Sequence, residues 1–70
     1  MGQLHQQQKD DLESLIDVYG LDMLAAALAD ICIEKAVHVR TNWQDAALGR
    51  IWERAAKAAQ KLQDAAAELP

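Results

Sequence analysis

The residues with the most chemical capability stand close together near the middle of the chain. Glu34 and His38 are four apart, which sets a carboxylate and an imidazole on one face of a helix, within reach of each other or of a shared metal ion. Helical bundles that hold two metal ions among carboxylates use Glu-x-x-His, three apart, together with glutamates from further helices. Here the spacing differs, and Asp45 and Glu53 are the interior acids that a following helix would offer. The expectation is an intrahelical Glu34–His38 pair, with no metal and no other cofactor. Cys32 lies just before this pair. A reactive thiol needs an exposed, electropositive setting and a base, whereas Cys32 falls on an apolar stripe and is expected to be a small core residue. As the lone cysteine it can form no internal disulfide. Ser14 is the lone serine, no serine–histidine–acid set is in view, and no glycine-rich phosphate loop is present. Catalysis is not expected.

A second grouping is electrostatic. Arg50, Arg54, Lys57 and Lys61 recur at helical spacing and form a basic stripe that could contact phosphates. The same stripe serves equally as a solvated face, with Glu53–Lys57 and Lys61–Asp64 pairs along one helix. The net charge of −4 and pI of about 4.8 favour the solvated face and argue against nucleic acid as a partner. The charge is unevenly spread. Residues 1–34 set Lys9 against Asp10, Asp11, Glu13, Asp17, Asp22, Asp30 and Glu34, while over residues 35–61 basic residues outnumber Asp45 and Glu53.

These side chains must be positioned by helices, because apolar residues recur at helical and not at strand spacing. Three helices are predicted, over about 10–19, 22–41 and 43–68, with residues 1–9 as a frayed tail or the first turns of helix one. Gly20 reads as the residue that ends the first helix, and Asp22 as the N-cap of the second. Asn42 reads as the N-cap of the third, with Asp45 three residues on in a capping-box arrangement. So tight a connection makes the second and third helices an antiparallel hairpin, and the first is expected to pack across both. The second helix has a continuous stripe of Leu21, Ala25, Leu28, Cys32, Ala36 and Val39, widened by Leu24 and Ile31. On the third, Leu48, Trp52, Ala55, Ala59, Leu62, Ala66 and Leu69 alternate four and three apart, the spacing of a coiled-coil seam.

Seventy residues make one small domain, and chains of this size often need a disulfide, a metal or a partner to bury enough surface. Much of the apolar content is alanine, which buries little area. The second helix is also apolar around most of its circumference, more than two short neighbours can cover. Together these predict an all-α three-helix module that dimerises with itself into a larger bundle, with another protein as the second candidate partner. No apolar run is long enough to cross a membrane. The first residues show neither the basic nor the apolar region of a secretory signal, so the expected setting is the cytoplasm.

The block over residues 28–48, with ICIEKAVHVRTNWQD at its centre, resembles short uncharacterised bacterial all-helical proteins with an IC-x-EKA-x-H-x-x-x-NWQD core. No activity is attached to that type, so the resemblance implies no reaction. It does imply that the polar cluster Glu34, Lys35, His38, Asn42, Trp43, Gln44 and Asp45 defines the type, as a network locking the corner between the second and third helices or as a binding surface. Function at this point is expected to be protein–protein association, the other classes being a metal-binding bundle built on Glu34 and His38 and a nucleic-acid-associated regulator built on the basic stripe.

Overall fold

The computed structural model describes residues 2–70 as three helices, α1 (Gln6–Tyr19), α2 (Leu21–Asn42) and α3 (Ala46–Ala66), with no strand among the described residues. α2 and α3 form the expected antiparallel hairpin and hold the whole buried core between them. Its two sides are made of small residues. Ala25, Ala29, Ala36 and Val39 are buried on α2, and Gly49, Ala56 and Ala66 on α3. Successive members on α2 lie four, seven and three residues apart and form one stripe along that helix, and Gly49 and Ala56, seven apart, share a face of α3. With so little side chain between them the helices approach closely, and the contact is tight but small in area per residue.

That close approach decides where the larger side chains go. Leu21, Leu24, Cys32, Leu48, Trp52, Ala55 and Ala59 are half-buried along the margins of the contact. Leu28, Ile31, Ile51 and Leu62 remain 49%, 48%, 52% and 40% exposed. The α3 seam therefore differs from the expected one. Trp52, Ala59 and Ala66 lie on it, but Gly49 and Ala56 face α2, and Leu62 and Leu69 stand in the open. The physical reason is size: turning the smallest residues inward lets two helices close, whereas turning the leucines inward would hold them apart.

α1 departs from expectation in two ways. It begins at Gln6, several residues before its apolar pattern does, because glutamines and acids brace its first turns. The Gln6 and Gln7 amides donate to Asp10 and Asp11 at 2.8 and 2.9 Å, and the Gln8 carbonyl accepts the His5 N–H at 3.1 Å. Nor does it lie across the hairpin. No residue of α1 is buried, and its backbone packs beside α2, meeting α3 only across a hollow at that helix's end. Gly20, with φ 92° and ψ 147°, is in a region only glycine enters freely. It directs α1 toward the open end of the hairpin, where Ile16 and Asp17 share a hollow of about 370 Å3 with Ala66, Ala67 and Leu69.

Two substitutions test the close contact. Ala56→Leu should lower the unfolding free energy by about 1–3 kcal/mol through overpacking, read from the urea midpoint at unchanged m-value. A Cβ on Gly49 would lie 2.7 Å from Arg40 Nε and 2.9 Å from its Cγ, so Gly49→Ala should gain about 1 kcal/mol of helix propensity in an Arg40→Ala background. With Arg40 present the gain should be smaller, because the arginine must move.

Candidate functional site

Two regions present functional side chains, and the α2–α3 corner is the first. α2 continues through Asn42, Trp43 closes it, and Gln44 takes a left-handed φ of 53°. Asp45 then starts α3, its Oδ1 accepting the Leu48 N–H at 2.9 Å. Its own N–H donates to the Val39 carbonyl at 3.0 Å, which ties the start of α3 to the last turn of α2. Asn42 is thus not the cap of α3, and α3 begins after Asp45 instead of at Trp43. The Asn42 side chain is engaged elsewhere: its Nδ2 lies 2.8 Å from His38 Nδ1. With the amide donating, Nδ1 is the acceptor and the ring proton sits on Nε2. The His38 ring also meets Trp43 edge-on, centroids 5.9 Å apart.

His38 therefore pairs with Asn42, four residues after it, and not with Glu34, four before. Glu34, Lys35, His38 and Ile31 line an open hollow of about 270 Å3 and are all exposed. Glu53, the candidate acid of α3, is held in an ion pair by Arg40. No group of three metal-ligating side chains occurs among the described residues. Trp43 is 66% exposed, an amphipathic ring that shields His38 on one side and meets solvent on the other. Chemically the corner can cap, brace and offer one aromatic surface. Around the back of α3, Arg50, Arg54 and Lys57 border a wide hollow of about 620 Å3 with Ala47, Ile51 and Glu53.

The second region is apolar, and its layout follows from the Arg40–Glu53 pair. At 100° per residue, Arg40 lies to one side of the buried stripe of α2, and Leu24, Leu28 and Ile31 lie to the other. On α3, Glu53 lies to one side of the buried stripe, and Leu48, Ile51, Ala55 and Leu62 to the other. Because Arg40 meets Glu53, those two sides share one face of the hairpin. Leu24, Leu28 and Ile31 of α2 and Leu48, Ile51 and Leu62 of α3 must then share the opposite face, while Ile33 and Val37, 44% and 57% exposed, stay on the Arg40 side of α2. Leu28, Ile31, Ile51 and Leu62, each at least 40% exposed, lie on that face, with Lys35 among them on α2. α1 does not cover it, and large apolar surfaces of this kind mark places where proteins associate.

Leu24, Leu28, Ile31, Leu48, Ala55 and Leu62 are among the expected core and interface residues, whereas Ile51 is not. The signal was available: Leu48, Ile51, Ala55, Ala58, Leu62, Ala65 and Leu69 alternate three and four apart, a second seam displaced from the first by part of a turn. Comparison of the chain with protein-family models, curated proteins and solved structures finds no match.

Asp45→Ala should cost about 1 kcal/mol in chemical denaturation, the usual loss for an N-cap carboxylate. His38→Ala, at an exposed position, should stay within about 0.5 kcal/mol of the parent.

Proposed function

We propose that this chain is a small, non-catalytic protein–protein association module, and that its first partner is a second copy of itself. The observation that carries this is the uncovered face of Leu28, Ile31, Ile51 and Leu62, set beside a core made almost wholly of alanine. Burying a large aliphatic side chain contributes about 1.5–3 kcal/mol, far more than an alanine methyl. The residues best able to stabilise the fold are thus those that the single chain leaves half in water. Covering them with a partner supplies what the alanine seam cannot, and a chain of this length has few other means. The exposed flank of α1, with Leu12, Leu15 and Tyr19, adds apolar surface for another protein.

No helix is long and apolar enough to cross a membrane. A lone half-buried thiol suits a reducing compartment, and the cytoplasm is the setting proposed.

Light scattering on a sizing column at tens of micromolar protein should give the mass of a dimer. Leu28→Glu and Leu62→Glu should each shift the population toward monomer, since each places a charge on that face. A parent chain that runs as a clean monomer at that concentration would refute the proposal.

A further inference from the structure

We infer that Gly20 is a two-state joint. The chain exchanges between the bent form described above and one in which α1 and α2 run on as a single helix from Gln6 to Asn42. This concerns each chain alone and does not depend on self-association.

The backbone at the joint is already close to helical. The Gly20 N–H donates to the Ile16 carbonyl at 2.8 Å, and the Gly20 carbonyl accepts the Leu24 N–H at 3.2 Å. Both are the i to i−4 bonds of an unbroken helix. The bend interrupts the ladder only between them, where the N–H groups of Leu21, Asp22 and Met23 would donate to the carbonyls of Asp17, Val18 and Tyr19. Straightening restores these bonds through a change at one residue. Glycine permits it, because φ 92° and the helical region are both open to a residue without a Cβ. Little holds α1 where it is: none of its residues is buried, and only Ile16 is half-buried. Against the straight form stand that contact and the cost of a glycine inside a helix, so both forms stay populated.

The sequence is in phase for the straight form. Counted at 100° per residue directly through Gly20, Leu12, Leu15 and Tyr19 of α1 fall in line with Met23, Ala26, Ile33 and Val37 of α2, in one band about 80° wide. The spacings are those of a coiled-coil seam, and Asp30 is the one charged residue between Leu12 and Val37 that falls in the band. On α2 this line lies away from Leu28 and Ile31, and α3 does not cover it: Met23, Ile33 and Val37 are exposed. Two helices that always met at a bend would have no reason to share a phase, whereas one continuous helix does. The bend divides the line in two, and straightening joins it. The two forms also differ in length. A helix from Gln6 to Asn42 is about 55 Å long, against a longest extent of 41 Å for the bent chain.

Double electron–electron resonance reads that difference. Spin labels are placed on Lys9→Cys and Lys35→Cys in a full-length Cys32→Ala chain, diluted with unlabelled chain so that only distances within one molecule count. The straight form sets the two labelled residues about 39 Å apart along one axis, and the bent form brings them closer. The labelled chain should give both distances. Adding Gly20→Ala should raise the ratio of long to short roughly tenfold, because alanine is strained at positive φ and at ease in a helix. Its Cβ would also lie 2.8 Å from Asp22 Oδ1 in the bent form. Adding Leu21→Pro instead should leave only the short distance. Proline suits the first residue of α2, but it lacks the N–H and blocks the turn that a continuous helix needs. A single distance in the labelled chain overturns the inference, as does an unchanged ratio with Gly20→Ala or a long distance that survives Leu21→Pro. Circular dichroism checks that each variant stays helical, and the labelled chain with Gly20 and Leu21 intact decides the matter should a variant fail to fold.

Discussion

The close approach of α2 and α3 through small side chains is the constraint on which the rest of the molecule depends. Ala25, Ala29 and Ala36 meet the buried Gly49, Ala56 and Ala66, and the tight packing this allows comes with little buried area. Leucine and isoleucine cannot enter that seam without separating the helices, so they line its margins. One margin carries the Arg40–Glu53 ion pair and Gly49, which leaves room for the arginine stem. The opposite margin carries Leu28, Ile31, Ile51 and Leu62.

The connections serve the same seam. Asp45 binds the first turn of α3 through Leu48 and the last turn of α2 through the Val39 carbonyl, which sets how the two helices enter the corner. His38, Asn42 and Trp43 form a short polar and aromatic brace on the outside of that corner. At the other end Gly20 takes a backbone conformation closed to other residues and sends α1 to the mouth of the hairpin. Since the alanine seam closes without a third helix, α1 has no groove to fill and keeps its apolar residues in the open.

The three helices and the antiparallel hairpin are legible in the sequence, because period and chain punctuation are local properties. Which side of α3 faces inward is not. Averaging the apolar positions of α3 points between its two seams, and only the packing of both helices together shows that Gly49 and Ala56 win over Leu62. The corner is half legible. Asp45 is recognisable as a capping residue, but the choice between Asn42 and Asp45 turns on a side-chain contact with His38 that spacing alone does not reveal. The expected Glu34–His38 pair fails for the same reason: the spacing gives Glu34 and Asn42 equal claim on His38, and its Nδ1 meets the Asn42 amide. The start of α1 is not legible because glutamine–aspartate bonds, and not apolar periodicity, carry its first turns.

In this account the chain is half of a bundle: the hairpin supplies a tight inner seam, and a second copy covers the aliphatic flank. Isotope-filtered nuclear Overhauser spectroscopy on a mixture of labelled and unlabelled chains addresses that most directly. Self-association through this face predicts contacts between copies among the Leu28, Ile31 and Leu62 methyls, and protection of all three from a soluble paramagnetic agent. Methyls that show no contact between copies and are reached freely by that agent would contradict it.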